Sequence, residues 1–588
     1  MAATGEWSYD RYREGTAPLP RPNLAWNSYG RGVESIGRDG HPEPVDVPAP
    51  APDQLLVRVD AVGLCFSDVK LIRLGSEHPK LYGRDLSADP IRLGHEATVT
   101  VIEVGDDLAD TYRTGDRLAI QPDIYLNGRS VAYGYTIPGG LIQYHLIGPE
   151  ILAADGVSYV IPVAEGIGYA AAALSEPWAC VEAAYTQRRR LWPRTGGTAW
   201  IIGHPDDERS YDFGETLHDT ARVVLTGVSP RTITAVLKAT GPRTETSVVD
   251  APEPAEYSSL VDRETDGEGF DDIVLLDPRS ASQVTEVARH IAFRGTLNLV
   301  GERPLDGLSS IDFGRLHYDY TAFVGTRGPK IAAAYGEQRN RCDLRPGGLA
   351  VFVGAGGPMG QMHVQRALEK ADGPAVVIGI DPDRARLDVL ADSLGPLAER
   401  AGRELIVLNA DASDPSVREL VDQRSASAGA DDVVVTVPVA SVMASAAQLM
   451  SPDGMLVFFA GVANGTTGLL DMSRVYLSSA QYTGTSGSTL DDQALVLDKA
   501  AQGSLSPDLN LAAVGGIEAG RDGVQAMLDG RFAGKIVIFP QVAGMPLLGL
   551  DELADKYPDI GSALGPQGQW TSEAERRLLE MFGLAEDS

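Results

Sequence analysis

One α/β pattern occurs twice in this chain, in the same order and at a spacing of roughly 150–160 residues. TAWIIGH from Thr198 matches LAVFVGA from Leu349, and DDIVLLDP from Asp271 matches DDVVVTVP from Asp431. GTLNLVG from Gly295 matches GMLVFFAG from Gly454, and FVGTRG from Phe323 matches YTGTSG from Tyr482. Apolar strands alternating with helical stretches build parallel sheets, because parallel neighbours need a crossover between them. Two successive doubly wound domains are therefore expected, over 196–345 and 346–503.

The flanking regions read differently. Residues 1–23, ending in TAPLPRP, are expected to form a polar arm with little to bury. From 24 to 195, short apolar or β-branched runs (LLVRVDAV, ATVTVIEVG, LIQYHLIG) alternate with Gly, Pro and Asp turns, the texture of a β-rich barrel or sandwich, and pass into the Ala-rich helix IGYAAAALSEPWACVEAAYTQRRR. Residues 504–588 are expected to return to that β-rich domain and close in a helical tail, SEAERRLLEMFG. The run Arg188 to Arg190 reads as a solvated helix C-terminus.

Composition narrows the function. Fifty Lys and Arg against eighty-one Asp and Glu give a net charge of −31 over 588 residues, which excludes a nucleic-acid partner held by clustered cations. Three cysteines, Cys65, Cys180 and Cys342, allow neither a disulfide framework nor a four-cysteine zinc site. No basic start leads into an apolar segment and no apolar run reaches 18 residues, so a cytoplasmic protein with no membrane partner is expected.

In the second copy, LAVFV runs into Gly354-Ala-Gly356-Gly357-Pro-Met-Gly360 and then a helical stretch. Such a turn lets the backbone approach a pyrophosphate, while the helix offers free N–H groups and its positive dipole end. The next strand, AVVIGI, ends in Asp381, placed to accept from an adenosine ribose; an acid there favours NAD over NADP. The run is one residue longer than G-x-G-x-x-G. The first copy carries Gly203-His-Pro-Asp-Asp-Glu-Arg instead and no acid after its second strand, so it is expected to bind no dinucleotide and to serve packing, oligomer contacts or regulation.

Within the β-rich half, Cys65, Ser67 and Asp68 lie in VGLCFSDVK, His95 and Glu96 in RLGHEATV, and Glu176 in ALSEPWACVEA. A thiolate, an imidazole and one or two carboxylates form the donor set of a catalytic zinc that keeps a position open for water or substrate. Asp68 suits the acceptor for the other His95 nitrogen.

G-L-C-F-S-D, followed by G-H-E thirty residues after the cysteine and by G-D-R-L, resembles the zinc-dependent medium-chain dehydrogenases, the alcohol and sorbitol dehydrogenase superfamily. S-E-P-W-A-C-V-E-A is similar to its polyol and sugar branch, in which Glu replaces a Cys; G-T-S-G-S from Gly484, G-R-F-A-G-K-I-V from Gly530 and the W-T-S-E-A-E tail look closest to L-sorbose 1-phosphate reductases. The resemblance implies a GroES-like catalytic domain, a Rossmann-like cofactor domain, and a dimer or tetramer. It also implies a zinc- and NAD-dependent oxidoreductase acting on a secondary hydroxyl of a polyol, sugar or sugar phosphate. One catalytic zinc would be held by Cys65, His95 and Glu176, with Glu96 as an exchanging or alternative ligand, and Ser67 would take the hydroxyl proton. Lys70 stands where a proton-relaying His often sits, the four-cysteine zinc lobe is missing, and the degenerate α/β domain is foreign to the common pattern. The competing expectation from another class is a sensor or scaffold that binds NAD without catalysis.

Overall fold

The computed structural model describes residues 7–19, 22–47 and 49–583. The chain forms two compact units, one of residues 1–182, 357–362 and 487–588, the other of residues 183–356 and 363–486.

The first unit is built on a largely antiparallel sheet centred on Leu55–Gly63, flanked on one side by Glu96–Val104 and on the other by Lys535–Phe539. All nine residues of Leu55–Gly63 are buried, which explains its nearly continuous apolar run. The two polar residues in it are satisfied: Arg58 Nε donates to Asp60 Oδ1 at 2.7 Å, and Thr100 Oγ1 donates to Asp60 Oδ2 at 2.6 Å. The expected polar arm is corrected here. Residues Tyr9–Arg13 form a helix, Tyr12 is buried, and its hydroxyl donates to Asp60 Oδ1 at 2.8 Å under the Arg58 guanidinium. One aromatic side chain with a polar tip is enough to dock a segment whose composition is otherwise polar. Residues 1–6, 20 and 21 lie outside the described residues.

The second unit contains both α/β copies. Its strands are β1 (Thr198–Ile202), β2 (Arg222–Thr226), β3 (Glu245–Val249), β4 (Phe270–Leu276), β5 (Ile291–Val300) and β6 (Ala322–Thr326) in the first copy. The second copy supplies β7 (Leu349–Val353), β8 (Val376–Asp381), β9 (Glu404–Asn409), β10 (Ala430–Val435), β11 (Met450–Phe458) and β12 (Gln481–Gly484). Each copy is a parallel six-stranded sheet, ordered β3-β2-β1-β4-β5-β6 and β9-β8-β7-β10-β11-β12. This is the doubly wound order, with its switch point between the first and fourth strands of each copy.

The duplication reaches individual bonds. Arg190 pairs with Asp272 and Arg194 with Asp271; Arg341 pairs with Asp432 and Arg345 with Asp431. The backbone N–H of Arg194 donates to Asp272, and that of Arg345 to Asp432. A register shift falls at the same point of both sheets, between Phe270 and Asp272 and between Ala430 and Asp432. The arginine run is thereby corrected: the helix ends at Ala183, Arg189 is buried, and Arg190 clamps the foot of β4. This clamp also places residues 183–195 with the α/β unit.

The copies share one apolar core and meet reciprocally. Strand Ser309–Asp312 of the first pairs antiparallel with Thr467–Leu470 of the second. A Cβ on Gly325 would come 2.7 Å from the Tyr476 Cβ, and one on Gly484 would come 3.0 Å from the His317 Cα, so each edge strand seats a helix of the other copy on a glycine.

Candidate active site

Register brings the metal-ligand candidates together. Gly63 pairs with Glu96 at the ends of neighbouring antiparallel strands, so the segment beginning at Leu64 and the one ending at His95 emerge side by side. Cys65 then caps the helix Phe66–Leu74, and Asp68, three residues into it, accepts the Cys65 N–H at 3.0 Å. One donor atom each from Cys65, His95 and Glu96 lies within 4.8 Å of the others. His95 Nδ1 lies 3.3 Å from Asp68 Oδ1, and its Nε2 lies 3.2 Å from Ser67 Oγ. Asp68 thus assigns the proton to Nδ1 and turns Nε2 toward the cluster.

The electrostatics suit a cation. Burial opposes a charged His95, but the Asp68 carboxylate and the Cys65 side chain outweigh it and hold its pKa well above the ordinary value. Burial alone would raise Asp68; His95 and the N–H groups of Cys65 and Gly94 bring it down. Glu96 is fully buried; its Oε1 accepts from Lys535 Nζ at 2.6 Å, while its Oε2 has no hydrogen-bond partner. A buried carboxylate oxygen without a donor is costly, and a metal ion beside a thiol and an imidazole removes that cost. The donor set fits zinc in kind.

Two candidates stand apart. Glu176 is buried but outside the three-residue grouping; burial pushes its pKa up, His95 lowers it and Glu96 raises it. Cys180 Sγ lies 3.9 Å from Glu176 Oε1. Lys70 is exposed, on the helix stripe shared with exposed Phe66 and Arg73, and is not brought into the cluster.

The sequence reading missed several neighbours. Lys535 arrives on the strand that flanks Leu55–Gly63 and also donates to the Leu64 carbonyl at 2.8 Å. Burial would lower Lys535, yet Glu96 and Cys65 hold it above its ordinary value. Tyr135 lies with its ring 6.0 Å from that of His95 and 5.4 Å from that of His78. Burial and the ammonium groups of Lys70 and Lys80 push His78 down to about 4. Lys80 pairs with Asp123 at 3.2 Å.

At the glycine turn of the second copy, Gly354 has φ +82°, and a Cβ there would meet the Val437 side chain at 2.5 Å. Gly356 donates its N–H to Asp381 Oδ2 at 3.1 Å, joining the turn to the acid that ends β8. Helix Pro358–Glu369, which contains Gly360, follows Gly357 directly. In the first copy no helix intervenes between β1 and β2. Three acids about that turn are paired: Asp207 with Arg209, Asp206 with Arg279, and Asp277 with both arginines. What is missing there is a helix N-terminus facing the switch point.

Residues 51–153 match the alcohol dehydrogenase GroES-like domain. That domain, with two doubly wound sheets beside it, is the architecture the sequence resemblance to the medium-chain dehydrogenases implied. An uncharacterized protein of Escherichia coli is 24% identical over 550 residues, 92% of this chain and 94% of that protein. Mannitol-1-phosphate 5-dehydrogenase of Aliivibrio fischeri is 24% identical over 554 residues, 92% of this chain and 95% of that enzyme. L-Sorbose 1-phosphate reductase of Klebsiella pneumoniae is 27% identical over 306 residues, half of this chain and 73% of that enzyme. Among solved structures, 2R,3R-butanediol dehydrogenase from Bacillus subtilis is 14% identical with a TM-score of 0.49, covering 88% of this chain and 99% of that one. Among the described residues, no helix is long and apolar enough to cross a membrane.

Proposed function

We propose that the chain is a zinc- and NAD-dependent dehydrogenase that moves a hydride between the cofactor and a secondary hydroxyl or ketone of a polyol, sugar or sugar phosphate. The observation that carries this reading is the convergence of Cys65, His95 and Glu96, whose donor atoms lie within 4.8 Å of one another, with one Glu96 oxygen, Oε2, buried without a hydrogen-bond partner. Those three residues would hold one zinc, with Glu176 as the exchanging carboxylate. Bound zinc supplies a Lewis acid for the substrate oxygen, and the nicotinamide supplies or accepts the hydride.

The chain's own groups supply orientation and proton handling. Asp68 fixes the His95 tautomer, and Lys535 Nζ anchors Glu96 through its Oε1 at 2.6 Å. Ser67 Oγ, within hydrogen-bond reach of His95 Nε2, is the group that would take the hydroxyl proton, and Tyr135 is its hydrogen-bonded neighbour. Gly354, Gly356, Gly357 and Gly360 would let the pyrophosphate approach, and Asp381 would accept from the adenosine ribose. The match with a mannitol-1-phosphate 5-dehydrogenase along nearly its whole length favours a phosphorylated polyol or ketose.

The test combines elemental analysis of the purified protein with a panel of polyols, ketoses and their phosphates followed by NADH absorbance. Cys65→Ala is expected to lose zinc and turnover together. Turnover retained in a zinc-free Cys65→Ala protein would refute the assignment.

A further inference from the structure

We infer that the degenerate first copy completes the cofactor crevice of the second by gripping its nicotinamide side, with Tyr320 and the helix Phe313–Tyr318 as positioning elements. The inference rests on the cofactor reading above. In a doubly wound sheet the ligand lies outside the carboxyl ends of the strands, across the switch point. Asp381, at the end of β8, marks the adenosine side, so the other half of a dinucleotide extends over the ends of β10, β11 and β12.

The ends of β11 and β12 are held by the first copy. His317 Nδ1 lies 3.2 Å from the carbonyl oxygen of Phe458, the last residue of β11. The loop that follows is gripped along its length: a Cβ on Gly461 would come 2.4 Å from the Tyr318 hydroxyl, and Gly465 donates its N–H to Asp312 at 2.7 Å. Beyond β12, the Tyr320 hydroxyl donates to the Ser486 carbonyl at 2.6 Å. Ser486 lies in the G-T-S-G-S run that the sequence singled out and to which the proposed chemistry gives no role.

The reverse grip exists without a ligand to serve. Tyr476 of the second copy donates its hydroxyl to the Arg303 carbonyl at 2.6 Å, and Ser473 Oγ accepts from the Leu305 N–H at 2.9 Å. Both contacts hold the loop after β5, beside a switch point filled by paired arginines and aspartates. The two tyrosines make the same kind of bond across the copies, Tyr476 to the loop after β5 and Tyr320 to the segment after β12, and only the latter borders the cofactor side.

The experiment measures the dissociation constants of NADH and ADP-ribose, which lacks the nicotinamide, for the full-length wild type, Tyr320→Phe and Tyr476→Phe. Tyr320→Phe is expected to weaken NADH by about threefold to tenfold, the loss of one partly buried hydrogen bond, and to leave ADP-ribose unchanged. Tyr476→Phe is expected to leave both unchanged. The inference is overturned if Tyr320→Phe leaves NADH unchanged or weakens both ligands equally, or if Tyr476→Phe reproduces its selective effect, since that is general loosening of the interface. A wild type that binds neither ligand would overturn the cofactor reading itself and this inference with it.

Discussion

Replacing Lys535 by Met removes one partner of a fully buried ion pair while nearly preserving shape. The Nζ lies 2.6 Å from Glu96 Oε1, and the two side chains are 5% and 0% exposed. At an effective dielectric of about 20 the gross attraction at that distance is about 6 kcal/mol, against which both desolvation costs are set. Deleting one partner strands the buried Glu96 carboxyl without its ammonium partner, a net loss of about 3–5 kcal/mol. For a unit as large as the one that holds this pair, that lowers the melting temperature by roughly 5–8 °C. Calorimetry of the metal-free protein should show the deficit, and Lys535→Met/Glu96→Gln should recover most of it, because the stranded charge is then gone. Added zinc should narrow the gap in the single variant by supplying the missing countercharge. If the single variant melts within about 2 °C of wild type, or the double variant is as damaged as the single, the pair does not carry the load assigned to it.

Gly354→Ala should abolish NADH binding, measured by fluorescence titration, because it strains a φ of +82° and drives a methyl into Val437; Gly203→Ala in the degenerate copy should leave binding intact. Glu575 gives a pH signature. Burial pushes its pKa up to about 7, against two N–H donors from Tyr169 and Ala170 and the Arg117 charge, which lower it. The folded state therefore holds its proton more tightly than the unfolded chain, so this residue's contribution is fully present below about pH 4.5 and lost as pH rises toward 7. The stability difference between wild type and Glu575→Gln should change across that window and be flat above it; a difference independent of pH would refute the assignment.

Strand texture and periodicity made much of this architecture legible. The four matched segments are β1 and β7, β4 and β10, β5 and β11, and β6 and β12. The glycine run and its acid could be read because they are local, one turn and one following strand. Pairings across long separations could not. The Arg190–Asp272 and Arg341–Asp432 clamps join residues more than eighty positions apart, and Lys535 reaches Glu96 from 439 residues away. Lys535 was visible in G-R-F-A-G-K-I-V, but only sheet order places it on Glu96. Lys70 went astray for another reason: three residues from Ser67, it falls on the stripe with Phe66 and Arg73 that faces water, a matter of helix phase.

The joining of both copies in one polypeptide changes what mutation can do. In a homodimer every substitution is made twice, so a surface that grips cannot drift apart from the surface gripped. Here the halves are tethered at fixed one-to-one stoichiometry and each evolves under its own constraint. One could surrender its phosphate-binding helix while retaining its clamp, its glycine seat and its hold on its neighbour, and become a dedicated companion encoded in the same gene.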